Sequence, residues 1–238
     1  MAESPPVATP DRDPEPDASA LGGGRFSTWL AGAVTAIEDG AASDVPCGPC
    51  TACCTSSQFV HIAPDEVDTL AHVPGELTFP APGLPQGHVL LGYDERGHCP
   101  MLVDDACSIY AHRPRTCRTY DCRVFPATGI EPDDDQPQIG DQTRRWRFEV
   151  ATDADRERLG AVRAAARFLH DRADELDDLP VPVSPTQRAS LVVELHRTFL
   201  RDGDEDRRDP ERIEPDIATV REAIEHLTSP ARSPGRRR

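Results

Sequence analysis

The sequence predicts an α+β protein: a small, irregular, cysteine-rich metal-binding domain with a short hairpin, covered by amphipathic helices. Three observations predict it. All eight cysteines lie between Cys47 and Cys122. Short alternating stretches broken by turn residues fill the same region, and stretches with apolar residues at three- and four-residue spacing flank it on both sides.

The cysteines come in two groups. The run CGPCTACC holds Cys47, Cys50, Cys53 and Cys54, and GHCPMLVDDACSIYAHRPRTCRTYDC adds Cys99, Cys107, Cys117 and Cys122. Two-residue spacing lets neighbouring thiolates converge on one ion at bonds of roughly 2.3 Å, so all eight are candidate metal ligands. Free thiols also serve as small buried hydrophobes, but eight gathered in a third of the chain with none elsewhere argue against that use. Disulfides need an oxidising compartment. The first twenty residues lack the basic start and apolar core of a secretory signal, and no stretch approaches the ~18 apolar residues of a membrane span. The expectation is a cytoplasmic protein with reduced thiols. A nucleophilic cysteine would stand apart from seven competing thiols, and no catalytic constellation is recognised. Because neighbouring side chains in an extended segment point to opposite sides, Cys53 and Cys54 should serve different metals, or only one of them should be a ligand.

With 26 basic and 42 acidic residues the formal charge is −16. Such a surface repels nucleic acid and anionic membrane, and the terminal RSPGRRR reads as a solvated tail. The partner expected from composition is therefore a metal ion; no protein partner is identified. Hydrophobic residues make up 37% and aromatics 5%, which suggests a modest core.

Residues 1–24, rich in Pro, Asp, Ala and Gly, read as a disordered tail, with the GGG at Gly22 to Gly24 as linker. The segment 25–126 reads as the cysteine domain with its own N-terminal helix, in which Trp29, Leu30, Ala33, Val34 and Ile37 form one stripe ending at Gly40. QFVHIA reads as a short strand and APDEVDTLA as a helix, with Pro64, Asp65 and Glu66 in its first turn. The prolines of 75–87 indicate a loop, and HVLLGYDERGHCPML a hairpin around Asp-Glu-Arg-Gly. An acidic, proline-broken loop is expected over 127–143. A helical region over 144–228 follows, opened by a strand at Trp146 to Val150. Thr152 and Asp155 suggest a capping box for a long helix through Leu159, Val162, Ala166, Leu169, Ala173 and Leu176. A second helix starts at Ser184-Pro185 with Gln187 as box partner and buries Leu191, Val192, Leu195 and Phe199. Ile217, Val220, Ile224 and Leu227 mark a third, and 229–238 is a basic tail.

Histidines 61, 98 and 112 read first as hydrogen-bond partners, with His98 and His112 as substitute ligands. Four thiolates around a divalent ion, or around an oxidised iron–sulfur cubane, leave a charge of about −2 that favours nearby cations. Arg113 and Arg118 are the candidates to support the cofactor. Arg115 and Arg123 are expected on surface carboxylates.

The CxxCxxCC run, GHCPML and CSIYAHRPRTCRTYDC, with Ile109, Tyr110, Arg113, Pro114, Arg118 and Tyr120, resemble the YkgJ-like cysteine-cluster family over about Cys47 to Phe125. Asp104-Asp105 stand where that family tends to place a glycine turn. The resemblance implies a zinc- or iron-chelating domain, often labelled iron–sulfur-cluster-containing. A similar cluster occurs in a flagellin lysine N-methylase, but no S-adenosylmethionine motif accompanies it here. The function expected is metal binding, structural or metal-handling, with zinc or iron held by thiolates. The alternative is an iron–sulfur electron-transfer protein or a subunit of a redox or modification enzyme, since Cys47, Cys50 and Cys53 repeat the C-x2-C-x2-C opening of bacterial ferredoxins and Cys99 precedes proline.

Overall fold

Helix α1 (Phe26–Asp39) buries Phe26, Trp29, Leu30, Ala33, Val34 and Ala36 and stops at Gly40, whose φ of 66° is the left-handed conformation of a helix end. The computed structural model that shows this describes residues 19–43, 45–200 and 215–229. The expected tail over 1–18, the charged run after Leu200 and the basic tail from 230 lie outside those residues. The described chain mixes helices with short strands, as an α+β protein should. No helix among the described residues is long and apolar enough to cross a membrane.

Two corrections concern strands. Gly22 to Gly24, expected as linker, lie in strand β1 (Leu21–Arg25), paired in parallel with β7 (Trp146–Glu149). Local pattern could not show this, because glycine carries no apolar signal and the partner lies about 125 residues away. The glycine has a packing reason: a Cβ on Gly23 would sit 3.0 Å from the Phe148 ring and 3.1 Å from the Arg147 carbonyl oxygen. The proline-rich stretch, expected as loop, contributes β3 (Thr78–Pro80) to a sheet of order β2-β4-β3, with β2 (Val60–Ile62) and β4 (Val89–Leu91). Pro80 is tolerated because β3 is an edge strand.

The expected hairpin is displaced along the chain. Asp94 makes its turn, accepting at Oδ1 from the N–H groups of Arg96 and His98. The hairpin itself joins β5 (Leu102–Val103) to β6 (Ala106–Cys107) through Asp104-Asp105, with φ of 50° and 57°. Two consecutive left-handed residues suit a tight two-residue hairpin turn, a position where glycine is otherwise favoured.

Helix α2 (Val67–His72) starts three residues later than expected, so that Pro64, Asp65 and Glu66 precede it instead of forming its first turn. Beyond the cysteines come α3 (Arg115–Thr119), α4 (Val124–Thr128) and α5 (Pro137–Arg145). Helix α5 corrects the loop expected over 127–143, because Pro137 stands at a helix start, where its missing N–H costs nothing. Then follow α6 (Asp153–Asp171), α7 (Pro185–Leu195) and α8 (Ile217–Thr228). The main core lies where α7 packs on α1, α4, α6 and α8. Phe26, Leu30, Val162, Val192, Leu195 and Ile224 are fully buried there, each worth roughly 1.5–3 kcal/mol of transfer free energy. A smaller core of Ile62, Val73, Leu91, Met101 and Ile109 lies under the cysteine-bearing loops. Ser184 makes no side-chain cap, so the capping box expected at α7 is not formed.

The box at α6 is formed, and it does more than cap. Asp155 accepts from the Thr152 N–H and hydroxyl, while its backbone N–H donates to Thr152 Oγ1. Its other oxygen accepts from the Ser27 N–H at 3.1 Å, tying the start of α6 to the start of α1. These hydrogen bonds hold the Asp155 carboxyl well below the usual carboxylate range. A group depressed in the folded state contributes stability above its unfolded pKa of about 3.9 and loses it on acidification below that. Asp155→Ala should therefore lower Tm by a few degrees at pH 7, with the gap from the parent closing below about pH 4 in pH-resolved thermal melts.

Candidate metal centre

All eight cysteines line one cavity of about 400 Å³ between the two cores. The first four arrive on the loop before and within a short 3-10 turn, Ala52–Thr55. Gly48 takes φ 54°, and the Cys50 N–H donates to the Cys47 carbonyl at 3.0 Å, closing the first knuckle. Cys53 and Cys54 therefore sit on a tight helical turn, not on the extended segment expected. On such a turn successive side chains are about 120° apart, which still separates the two thiols.

The second group is brought in by three devices. The Cys99 N–H donates to the Cys54 carbonyl at 2.7 Å, and the Ser57 N–H donates to the Gly97 carbonyl at 2.9 Å, strapping the two cysteine segments together. The β5–β6 hairpin carries Cys107. Helix α3 carries Cys117 and is fixed by Glu66, a buried residue whose carboxylate accepts from the Arg115 and Ala63 N–H groups. Thr116 Oγ1 adds a donor to the His61 carbonyl at 2.9 Å. Nothing in the spacing of APDEV singles out Glu66 as this clamp.

The charges each thiol feels, beyond the dominant effect of burial, show which thiols are near neighbours. Cys53 responds first to Cys122, then to Cys54, Cys50 and Cys47, and Cys122 in turn to Cys47 and Cys50. After desolvation, Cys54 responds to Cys99 and Cys107 and then to Cys50 and Cys47, and Cys117 to Cys99, Cys54 and Cys107. The leading influences link Cys53 to Cys122 and Cys54 to Cys99, while those of Cys54 on Cys53 and of Cys50 and Cys47 on Cys54 run across the two groups. Burial, reinforced by neighbouring thiols, pushes Cys54 up to about 11 and Cys117 to about 12. Burial likewise pushes Cys122 up to about 12, and raises Cys47, Cys53 and Cys99. Cys53 and Cys117 are open to a water-sized probe, yet desolvation is the largest influence on both. That combination suits thiols facing an enclosed cavity.

Donors surround the sulfurs. Trp146 Nε1–H donates to Cys122 Sγ at 3.2 Å, and the main-chain N–H groups of Met101 and Leu102 lower Cys99 against the effect of burial. Arg113 lines the cavity, its guanidinium 3.8 Å over the Tyr110 ring and its buried Nε without a hydrogen-bond partner. Its charge lowers both Cys47 and Cys117 against the effect of burial. Arg118 is placed differently: it is not among the lining residues and sits 3.8 Å from Glu66. Arg115 pairs with the exposed Asp65, as expected of a surface arginine. Arg123 corrects its expectation, being buried against Asp121 at 2.8 Å with a further bond to the Gly23 carbonyl. The strand β1 that covers it was not foreseen. Asp121 was missed altogether: it also accepts from Trp29 Nε1 at 2.9 Å, linking α1 to the segment bearing Cys122. None of His61, His98 and His112 lines the cavity; His61 stacks on His88 and His112 bonds Asp68.

A methyl group on Gly97, at φ 79°, would lie 2.1 Å from Ser57 Oγ. Gly97→Ala should therefore open the strap and speed metal loss to a competing chelator. Adding Ser57→Gly, which removes the clash, should restore part of the retention in the same assay.

Comparison with curated proteins and with solved structures finds no match for the chain. The family comparison does: residues 46–139, the segment that carries all eight thiols, match the model of the CxxCxxCC family, described as "Putative zinc- or iron-chelating domain".

Proposed function

We propose that this is a metal-binding protein that holds zinc or iron through two sets of four thiolates, Cys47, Cys50, Cys53 and Cys122 in one and Cys54, Cys99, Cys107 and Cys117 in the other. The observation that supports it is one cavity lined by eight thiols whose leading influences link Cys53 to Cys122 and Cys54 to Cys99, joining both halves of the cysteine segment. The surroundings fit thiolate-bound metal. Buried sulfurs lacking cations stay protonated, whereas a metal replaces the proton and leaves a negative site that Arg113, Trp146 and the Met101 and Leu102 N–H groups can stabilise. Zinc would cross-link the loops; iron would add one-electron chemistry. A reducing compartment such as the cytoplasm suits unpaired thiols.

One observation favours an iron–sulfur cluster over single ions. A tetrahedral ion with bonds near 2.3 Å needs sulfurs roughly 3.8 Å apart. Among the described residues, no three cysteine sulfurs lie mutually within 4.8 Å. Anaerobic purification with metal analysis and a visible spectrum decides between them. Broad charge-transfer absorption identifies a cluster, colourless zinc-loaded protein the ionic form, and metal-free protein that takes up neither zinc nor iron overturns the proposal.

Single and double variants test the sorting. Cys53→Ala and Cys54→Ala should each remove about half the bound metal and the double variant all of it. A double variant that loses no more than either single one would place both thiols on one centre. Arg113→Gln should cost the roughly ten- to hundredfold in retention typical of groups that support a metal ligand, and more than Arg118→Gln.

The thiol pKa values give a pH test with opposite signs for the two forms. Zinc added to stripped protein at pH 7 should release close to one proton per thiol, read with a pH indicator. In the stripped protein the folded-state values are raised above the ordinary ~8.5, so stability is complete below that value and is lost as pH climbs toward 11–12. Denaturant titrations should show that alkaline loss, whereas loaded protein should lose its metal on acidification.

A further inference from the structure

A second kind of ligand cluster lies on the outside of the wall that encloses the thiols. Helix α2 ends at His72, and the short turn Tyr110–His112 packs against it. The inner side of this turn is held by Ile109 in the small core, whose carbonyl accepts the His112 N–H at 2.8 Å. The outer side presents His112 to α2.

Asp68, His72 and His112 converge there. Their donor atoms all lie within 4.8 Å of one another, which no cysteine group among the described residues achieves. His112 Nδ1 is 2.7 Å from Asp68 Oδ2, and His72 Nδ1 is 3.8 Å from Asp68 Oδ1. The two imidazole rings stack with centroids 3.6 Å apart and planes 6° from parallel. In a tetrahedral site with nitrogen and oxygen bonds near 2.0–2.1 Å, ligand atoms are roughly 3.3 Å apart, between the two separations seen. Both separations are measured at Nδ1, the nitrogen that each ring turns toward Asp68, and His72 Nδ1 also lies 2.8 Å from the Asp68 carbonyl oxygen, a contact that a bound ion would replace.

A plain ion pair would explain Asp68 and His112, and the bond to the Asp68 carbonyl would seat His72, but neither calls for the two rings to stack face to face. A second imidazole stacked on the first adds no donor the carboxylate needs, and it stands to repel the first ring whenever both are protonated. A divalent cation accepted between two neutral imidazoles and one carboxylate accounts for all three residues together. The His112 hydrogen bond also holds the Asp68 carboxyl below its ordinary range, so it is ionised at neutral pH. Side-chain exposures of 41% for His72, 69% for Asp68 and 38% for His112 leave the remaining coordination positions to solvent.

We infer that Asp68, His72 and His112 form a separate, solvent-open site for a divalent transition ion of the zinc type, bound through one nitrogen of each imidazole and a carboxylate oxygen. The donor set selects the metal class: imidazole suits zinc, copper, nickel and iron, whereas calcium and magnesium prefer all-oxygen ligation. An open site with three protein ligands exchanges its ion more readily than a closed four-thiolate site. This inference does not depend on how the thiols are filled.

The test uses tag-free, full-length protein carrying its full complement of thiol-bound metal. Titration with zinc by calorimetry, and with cobalt(II) by visible absorption, should show one further equivalent per chain lacking sulfur-to-cobalt charge transfer. Asp68→Asn and His112→Ala should each abolish that equivalent and leave the thiol-bound metal unchanged. His72→Gln, on the exposed end of α2, should weaken it at least tenfold without touching the turn. Magnesium and calcium at the same concentration should not displace the ion. The site is disproved if no equivalent binds beyond the thiol-held metal, if the three variants bind it as the parent does, if calcium or magnesium competes equally, or if the added cobalt shows thiolate absorption. Loss of thiol-bound metal with this equivalent retained would count against the thiolate proposal alone.

Discussion

Eight thiols turned toward one cavity cannot ionise together in a low-dielectric space unless cations accompany them. That constraint organises this protein. Desolvation raises six of the thiols, and each further thiolate would raise the others again. The backbone nevertheless brings all eight to one cavity by specific devices: a left-handed Gly48, the Cys54–Cys99 strap, the Asp104-Asp105 hairpin and the Glu66 clamp under α3. So many separate anchors for one cluster of mutually repelling groups make sense when the cluster's bound state, not its free state, is the stable one.

The two four-thiol sets rest on different foundations. Cys122 belongs to the large helical core and Cys50 packs against it, while Cys99 and Cys107 pack against the small core of Ile62, Val73, Leu91, Met101 and Ile109. The large core draws on α1, α4, α6, α7 and α8 and the Phe26–Trp29–Phe148 aromatic cluster. The small one has five fully committed residues, too few to offset the ordering entropy of the loops around it. Ligand bonds therefore carry a larger share of the stability around Cys54, Cys99, Cys107 and Cys117 than around the other set.

Sequence patterning revealed what is local. Apolar spacing located α1, α6, α7 and α8, and the Thr152–Asp155 box located a cap that the structure forms in full. Cysteine spacing located the site residues because thiolate chemistry leaves few other uses for eight clustered sulfurs. What escaped was non-local. β1 has meaning only beside β7, and Arg123 could be moved from the surface to the interior only by knowing that β1 covers it. Asp121 and Glu66 look like any acids of an acidic chain until Trp29, Arg123 and the Arg115 N–H are found pointing at them. The grouping of the thiols is of the same kind, since Cys53 and Cys54 are adjacent in sequence and divided only by the turn they occupy.

That division gives the short Ala52–Thr55 turn a mechanical role. Among the thiols Cys53 responds first to Cys122 of the helical core and Cys54 to Cys99 beside the small core, so the peptide between them links the two sides of the cavity directly. Ala52 is buried in the helical core and Ser56 is buried with its hydroxyl on the Ala52 carbonyl, so the turn is held rigidly on one side. On the other side it is held by the Cys99 and Gly97 backbone bonds to Cys54 and Ser57. A change in bond length or charge at one set must therefore be transmitted through a few rigid atoms to the other, and not through a flexible loop. Two metal centres sharing such a turn, as proposed, would be coupled by construction, through geometry and through the Coulomb field that each thiolate places on its neighbour.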